Sequence, residues 1–145
     1  MKTSQNAIEL IKLFEGCKLK SYKCPAGVWT IGYGSTFYLD GSKVLMGQKI
    51  SQVEADMLLL KLLPKYEATV IKNIKVALNQ NQFDALVSFC WNCGSSQTLF
   101  RLVNQKATDE IIYDWLINHY IMGGGKVLAG LVRRRRVEAD LFIKK

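Results

Sequence analysis

Residues Leu13 to Thr36 read LFEGCKLKSYKCPAGVWTIGYGST, and within them a helical sequence pattern gives way to an extended one. The apolar residues that lead into this stretch recur at helical spacing, and Gly16 supplies a stop signal. Glu15 is therefore predicted to be the last residue of a first helix, with Asn6 and Glu9 as its N-terminal capping box. We expect a carboxylate at such a helix end to lie on the rim of a cleft.

The second half of the stretch has the alternation and the turn residues of short strands. Residues 21–22 precede a turn signal at residues 25–27, and apolar and polar residues alternate over residues 29–33. Two short strands joined by a tight turn are predicted. In that arrangement Cys24 and Thr30 can both face the carboxylate at the helix end.

The rest of the chain is predicted to be mostly helical. Residues 44–46 have the pattern of one more short strand, and Ser51 with Glu54 forms a capping box that starts a helix. Pro64 is expected to end or kink this helix, with a second helical piece over residues 66–74. Further helices are predicted over residues 80–92, 98–103, 108–120 and 131–143, with a mobile glycine loop at 123–125. The fold class is therefore α+β and mostly α-helical.

Composition limits the classes of partner. The 145 residues suit one domain that buries about two thirds of its unfolded surface. The net charge of +8 indicates an anionic partner, which could be nucleic acid, an acidic membrane surface or the bacterial cell wall. Neither an apolar leader nor a run of about 20 apolar residues is present, so we expect a cytoplasmic product without membrane insertion.

The run Arg133 to Arg136 does not by itself indicate nucleic-acid binding. Four successive helical residues point around the whole circumference, and no zinc-finger, RNP or helix-turn-helix signature accompanies them. Ion pairs are expected for Arg134 with Glu138 and for Arg136 with Asp140, each contributing about 0.2–0.5 kcal/mol. We therefore expect no nucleic-acid partner.

The cysteines and the single histidine do not predict a metal site. Cys90 and Cys93 lie three residues apart on a predicted buried helix, where free cysteine behaves as a small hydrophobic residue. No second pair of closely spaced cysteines is present to complete a zinc site, and His119 is expected to have a surface or packing role. Neither a metal nor a cofactor is expected.

The residues Glu15, Cys24 and Thr30 resemble the active-site signature of the phage-type lysozymes, the endolysins of glycoside hydrolase family 24. That signature is Glu, eight residues, Asp or Cys, five residues, Thr, and this chain follows the branch with Cys at the second position. Nearly the whole chain is covered, since three further segments resemble the family in the same order: residues 29–36, 78–104 and 123–142.

The resemblance implies a lysozyme-like fold with two lobes in a single domain over residues 1–145. The small β-rich lobe is expected at about residues 16–50 and the connecting helix at about 51–74. The larger helical lobe is expected at about 75–145, with helix 1 packed on it.

By the same resemblance, the chain is expected to be a muramidase that hydrolyses the β-1,4 bond between N-acetylmuramic acid and N-acetylglucosamine in peptidoglycan. Glu15 is the expected acid, because a helix C-terminal end and an apolar floor both favour the protonated carboxyl. Cys24 has two open roles: it activates water as a partial thiolate, helped by Lys20 and Lys23, or it attacks the anomeric carbon. Thr30 is expected to position the water.

The resemblance also implies substrate contacts. Gly32 and Tyr33 are expected to shape the hairpin floor of the cleft, and Asn104 and Lys126 its far wall. Peptidoglycan glycan strands are the expected partner of a monomer that waits in the host cytoplasm until a holin releases it. A lytic transglycosylase and a catalytically weak peptidoglycan-binding relative are the alternatives.

Overall fold

Six α-helices and two small antiparallel sheets make up the computed structural model, which describes all 145 residues. The predicted α+β, mostly helical class is confirmed. Strand β1 pairs with β2, and β3 pairs with β4. The bounds of the elements are α1 Gln5–Glu15, β1 Lys18–Lys23, β2 Trp29–Gly32, α2 Gln52–Asn73, α3 Gln80–Cys93, α4 Gln97–Asn104, α5 Asp109–Asn118, β3 Met122–Gly123, β4 Lys126–Val127 and α6 Ala129–Ile143.

The chain forms two compact units, each continuous in space. One unit is Ile8–Pro64 and carries the β1–β2 hairpin; the other combines Met1–Ala7 with Lys65–Lys145 and carries α3 to α6. Within the second unit α3 and α5 both pack against α6. None of the helices combines the length and the apolar character that crossing a bilayer would require.

Helix α1 ends at Glu15 as predicted, but its beginning differs. Ser4, rather than Asn6, caps it: the Ser4 Oγ accepts a hydrogen bond from the Ala7 N–H at 3.3 Å. The predicted capping box at Asn6 is therefore wrong, because the helix has already begun at Gln5. Ser4 is as suitable a cap as Asn6, because its hydroxyl reaches the backbone N–H of Ala7 three residues later.

Helix α2 begins after the predicted capping box and runs through its proline. The Ser51 Oγ accepts from the Glu54 N–H at 3.1 Å, and the Glu54 carboxylate accepts from the Ser51 N–H at 3.3 Å. Pro64 lies inside a single helix rather than ending it. Leu63 and Val70, on either side of the proline, are both buried, and this burial offsets the lost backbone hydrogen bond.

Two predictions for irregular segments are wrong. Residues 44–46 form no strand, because the Leu45 N–H donates to the Gln48 side chain at 2.7 Å and the chain turns at Met46. The predicted glycine loop is instead the β3–β4 hairpin. Gly124 and Gly125 form its turn with φ of +59° and +78°, values that glycine adopts without strain.

A buried ion cluster joins α3 and α6. The Arg135 Nε lies 2.7 Å from one Glu138 oxygen, and the Arg134 Nε lies 3.4 Å from the other. The Ser88 hydroxyl donates to Glu138 at 2.6 Å. The predicted Arg134–Glu138 pair is confirmed, but as a core contact, whereas Asp140 accepts a hydrogen bond from Tyr113 instead of pairing with Arg136.

Substitution Glu138→Gln should lower the free energy of unfolding by about 3–5 kcal/mol, because it leaves two buried guanidinium groups without a countercharge. Urea unfolding measures the loss. The control is Lys145→Gln, which breaks an exposed pair with Asp109 and should cost less than about 1 kcal/mol. Equal losses in the two variants would contradict the assignment of the cluster as a stability determinant.

Candidate active site

A tight turn between β1 and β2 fixes the position of Cys24. The Cys24 N–H donates to the Val28 carbonyl at 3.0 Å, and the Gly27 N–H donates to the Cys24 carbonyl at 2.8 Å. Gly27 has a φ of +79°, which lets the chain reverse within three residues. The turn therefore points several backbone amides back toward residue 24.

Those amides act on the Cys24 sulfur. The Val28 N–H, with the Ala26 N–H and the Thr30 hydroxyl, holds the pKa of the Cys24 thiol below its ordinary value, while burial opposes the shift. The expected helpers Lys20 and Lys23 are not what lowers this pKa. The Lys23 ammonium instead lies 5.5 Å from the centre of the Trp29 ring. The turn itself stabilises a thiolate.

Thr30 is buried in the middle of β2, with 4% of its surface exposed. Its hydroxyl donates to the Val28 carbonyl at 2.9 Å and also lies within reach of the Cys24 sulfur. A hydroxyl has one proton and two lone pairs. The Thr30 hydroxyl can therefore donate its proton to the Val28 carbonyl or to the Cys24 sulfur and still accept a hydrogen bond from a third group. The two side chains thus form one polar pair at the base of the turn.

Glu15 is half-buried at the C-terminal end of α1. The chain leaves the helix at Gly16, whose φ is +68° and whose N–H donates to the Lys12 carbonyl at 3.0 Å. This glycine C-cap, which the sequence predicted, places the carboxyl at the point where helix gives way to hairpin.

Tyr22 is a site residue that the sequence analysis did not single out. It lies directly opposite Thr30 in the β1–β2 ladder and is half-buried. Burial raises the pKa of the Tyr22 phenol, and the negative charges of Cys24 and Glu15 raise it further. The phenol therefore lies near both groups. The signal in the sequence was its position two residues before Cys24, which follows the last residue of β1.

Gly32 and Tyr33 fasten the end of the hairpin to α2. A Cβ on Gly32 would lie 3.6 Å from the Ala55 Cβ, and its φ of +66° favours glycine. Tyr33 is buried, and its hydroxyl accepts from the Gln52 amide at 3.0 Å and faces the Asp56 carboxylate at 3.4 Å. These contacts support the hairpin; contact of either residue with substrate stays a prediction.

The other two predicted contacts belong to the helical unit. The Asn104 side chain accepts from the Lys75 N–H at 2.7 Å and donates to the Asn73 carbonyl at 2.8 Å, so it ties α4 to the end of α2. Lys126 is exposed on β4. Their role toward substrate also stays a prediction. His119 is exposed and stacks on Trp115, as expected of a surface residue.

Comparison with known proteins places this site in a family. The family model described as Phage lysozyme matches residues 12–138, which include Glu15, Cys24 and Thr30. An endolysin of Lactococcus phage c2 is 40% identical over 146 residues, which cover 99% of this chain and 61% of that protein. The chain therefore spans about three fifths of that relative's length.

Solved structures agree with the family match. The endolysin from Escherichia coli O157:H7 phage FAHEc1 superposes with a TM-score of 0.87 at 37% identity, covering 99% of this chain and 94% of that one. A variant of P22 lysozyme superposes with a TM-score of 0.87 at 33% identity, covering 99% of each chain. The fold and the site thus define a lysozyme-like protein. This chain belongs to the phage lysozyme family.

The Cys24 thiol should react with iodoacetamide at lower pH than Cys90 and Cys93, because its pKa is lowered whereas burial raises the pKa of Cys93 and raises that of Cys90 to about 12. Mass spectrometry of labelled peptides across a pH series measures each midpoint. In Thr30→Val, which removes a donor to the sulfur, the midpoint for Cys24 should rise. An unchanged midpoint would mean that the hydroxyl does not stabilise the thiolate.

The Tyr22 phenol should titrate at lower pH once a neighbouring charge is removed. Both Cys24→Ser and Glu15→Gln should lower the pKa of Tyr22, since each removes a negative group that disfavours the phenolate. NMR of tyrosine labelled at Cζ follows the titration. Tyr113, whose pKa is raised by Asp140, is the internal reference and should not move. Equal shifts of both tyrosines would contradict the proposed grouping.

Proposed function

We propose that this protein is a muramidase, hydrolysing the β-1,4 bond between N-acetylmuramic acid and N-acetylglucosamine in bacterial peptidoglycan. The observation that carries the proposal is the cradle of turn amides that stabilises the Cys24 thiolate beside Thr30, with Tyr22 close to both Cys24 and Glu15. The names of the relatives, endolysin and lysozyme, support this substrate class.

Glycoside hydrolysis needs an acid for the leaving oxygen and a group for the opposite face of the sugar. In the proposed reaction Glu15 gives its proton to the glycosidic oxygen as the bond to the anomeric carbon breaks. Water adds to that carbon, and the water proton passes to the Cys24 sulfur. Transfer of a proton back to Glu15 then restores the starting state.

Thr30 and the turn hold the second group of this reaction in place. The turn amides hold the pKa of the Cys24 thiol down and belong to the backbone, so the surroundings of the sulfur are set before substrate arrives. The Thr30 hydroxyl lies beside it and has a lone pair available for the attacking water. Direct attack of the sulfur on the anomeric carbon is the competing route. The two routes give opposite anomers of the first product.

The proposal extends to partners and place of action. Peptidoglycan glycan strands are the proposed partner, with Gly32, Tyr33, Asn104 and Lys126 contributing to the glycan site. The protein is proposed to act as a monomer on the host cell wall. Synthesis in the host cytoplasm and release by a holin are the proposed route to that wall.

Substitution Glu15→Gln should reduce the rate of peptidoglycan solubilisation by about 10²–10⁴-fold, because the amide has no proton to give to the leaving oxygen. Loss of turbidity of permeabilised Gram-negative cells and release of soluble glycan from purified sacculi measure the rate. Glu9→Gln, on the same helix but exposed, is the matched control and should retain the native rate. Equal rates in the native chain and Glu15→Gln would remove Glu15 as the acid.

Product analysis separates the remaining alternatives. Reducing N-acetylmuramic acid ends indicate a muramidase, whereas 1,6-anhydro ends indicate a lytic transglycosylase. NMR of the first anomer formed distinguishes inversion through water from attack by the sulfur. Binding to sacculi without any new ends would indicate a peptidoglycan-binding relative with no chemistry.

A further inference from the structure

Two lysines lie opposite each other in the unit Ile8–Pro64, and neither forms an ion pair. Lys20 on β1 and Lys49 form an isolated antiparallel bridge, and both side chains are exposed. The flanking hydrogen bonds run from the Ser21 N–H to the Gln48 carbonyl and from the Ile50 N–H to the Leu19 carbonyl, each at 2.9 Å.

This hydrogen-bond pattern decides how close the lysines are. The bonds join the residues on either side of the pair, so Lys20 and Lys49 are a non-hydrogen-bonded pair. In such pairs the Cα atoms lie about 4.5 Å apart and the side chains leave the same face. Like charges directly opposite one another are unfavourable, so the pair works against the stability of the hairpin.

No carboxylate of the same unit, Glu15 included, forms an ion pair with either lysine. Glu9 and Asp56 both pair with Lys12, at 3.6 and 3.3 Å. Asp40 accepts from Ser42, and Glu54 caps α2 through Ser51. Lys20 and Lys49 form no ion pair. The backbone pairing thus places two ammonium groups on the same face, where both are available to an external anion.

Position relates the pair to the proposed chemistry. Lys20 lies on β1 four residues before Cys24, which at about 3.3 Å per residue is at most about 13 Å along the chain, since β1 is irregular between Lys18 and Tyr22. An anion that binds there while a sugar is cleaved is most simply one attached to the same glycan. In peptidoglycan those anions are the carboxylates of the stem peptides, which hang from the lactyl group of N-acetylmuramic acid.

We propose that Lys20 and Lys49 form a subsite for a stem-peptide carboxylate of peptidoglycan. The proposal rests on the proposed function, since it names the part of that substrate which the hairpin recognises. The lysines contact neither the scissile bond nor the Cys24 sulfur. They increase the local concentration of peptide-bearing glycan at the hairpin and fix which stretch of it is presented.

The test compares the native chain with the double variant Lys20→Gln/Lys49→Gln on two substrates. One is sacculi free of phosphodiester polymers; the other is the same glycan after an amidase has removed the peptides and the lactyl carboxylates so freed have been converted to neutral methylamides. On peptide-bearing glycan kcat/KM should fall about tenfold and depend less steeply on salt. On stripped glycan kcat/KM should stay unchanged.

The matched control is Lys2→Gln/Lys144→Gln, which removes the same charge from exposed lysines of the other unit. An equal fall in this control would assign the effect to net charge and overturn the subsite. Equal falls on both glycans, or an effect seen only when phosphodiester polymers are added back, would also overturn it.

A binding measurement separates this proposal from the proposed function. Co-sedimentation of the Glu15→Gln variant with sacculi requires no catalysis, and adding the double lysine substitution should weaken it about tenfold. Stripped glycan should show no such difference. If the native chain cleaves nothing while this difference persists, the muramidase proposal fails and the carboxylate subsite stands. If the native chain cleaves the glycan but the double lysine substitution does not weaken co-sedimentation, the carboxylate subsite fails and the muramidase proposal stands.

Discussion

The hydrogen bonds of the turn after Cys24 are the constraint on which the rest of the site depends. They place the backbone N–H groups that lower the pKa of the Cys24 thiol, and they set the register that brings Tyr22 opposite Thr30. Backbone amides cannot rotate away as side chains do, so the electrostatic environment of Cys24 exists before any ligand binds. The chemistry that we propose is thus a property of the hairpin backbone first and of its side chains second.

Local signals in the sequence predicted the elements that carry the site. The change of pattern at Glu15, the stop at Gly16 and the turn residues 25–27 act over a few residues, and the structure forms at each of them what the pattern predicts. The donors to the Cys24 sulfur were not predictable in the same way. Neighbouring lysines looked like the stabilising groups, because a sequence displays charges but not the directions of amides.

The wrong predictions share a physical cause, which is competition from partners that the local pattern does not contain. Ser4 takes the cap that Asn6 could have formed, and the Gln48 side chain takes the N–H of a would-be strand residue. Burial of apolar residues on both sides of Pro64 keeps α2 whole. Arg135, for which the sequence predicted no partner, pairs with Glu138 and lies in the core.

The two units are stabilised in different ways. Six of the nine glycines with positive φ lie within residues 16–47, so tight turns shape the unit Ile8–Pro64 around its buried residues, among them Ile31 and Leu59. In the other unit, which carries α3 to α6, the helix α3 and a buried ion cluster pack against α6. Changes in that cluster should therefore act on the stability of the protein, while changes in the hairpin should act on the site.

A site built from amides is suited to more than one type of anion at position 24. The N–H groups of Val28 and Ala26 require a negative acceptor, and a carboxylate satisfies them as a thiolate does. Sulfur is larger and more nucleophilic than a carboxylate oxygen, yet the turn needs to stabilise only the charge. The physical requirement at this position is thus an anion held by the turn, and the atom that carries the charge, sulfur or oxygen, decides how strongly the group acts on water.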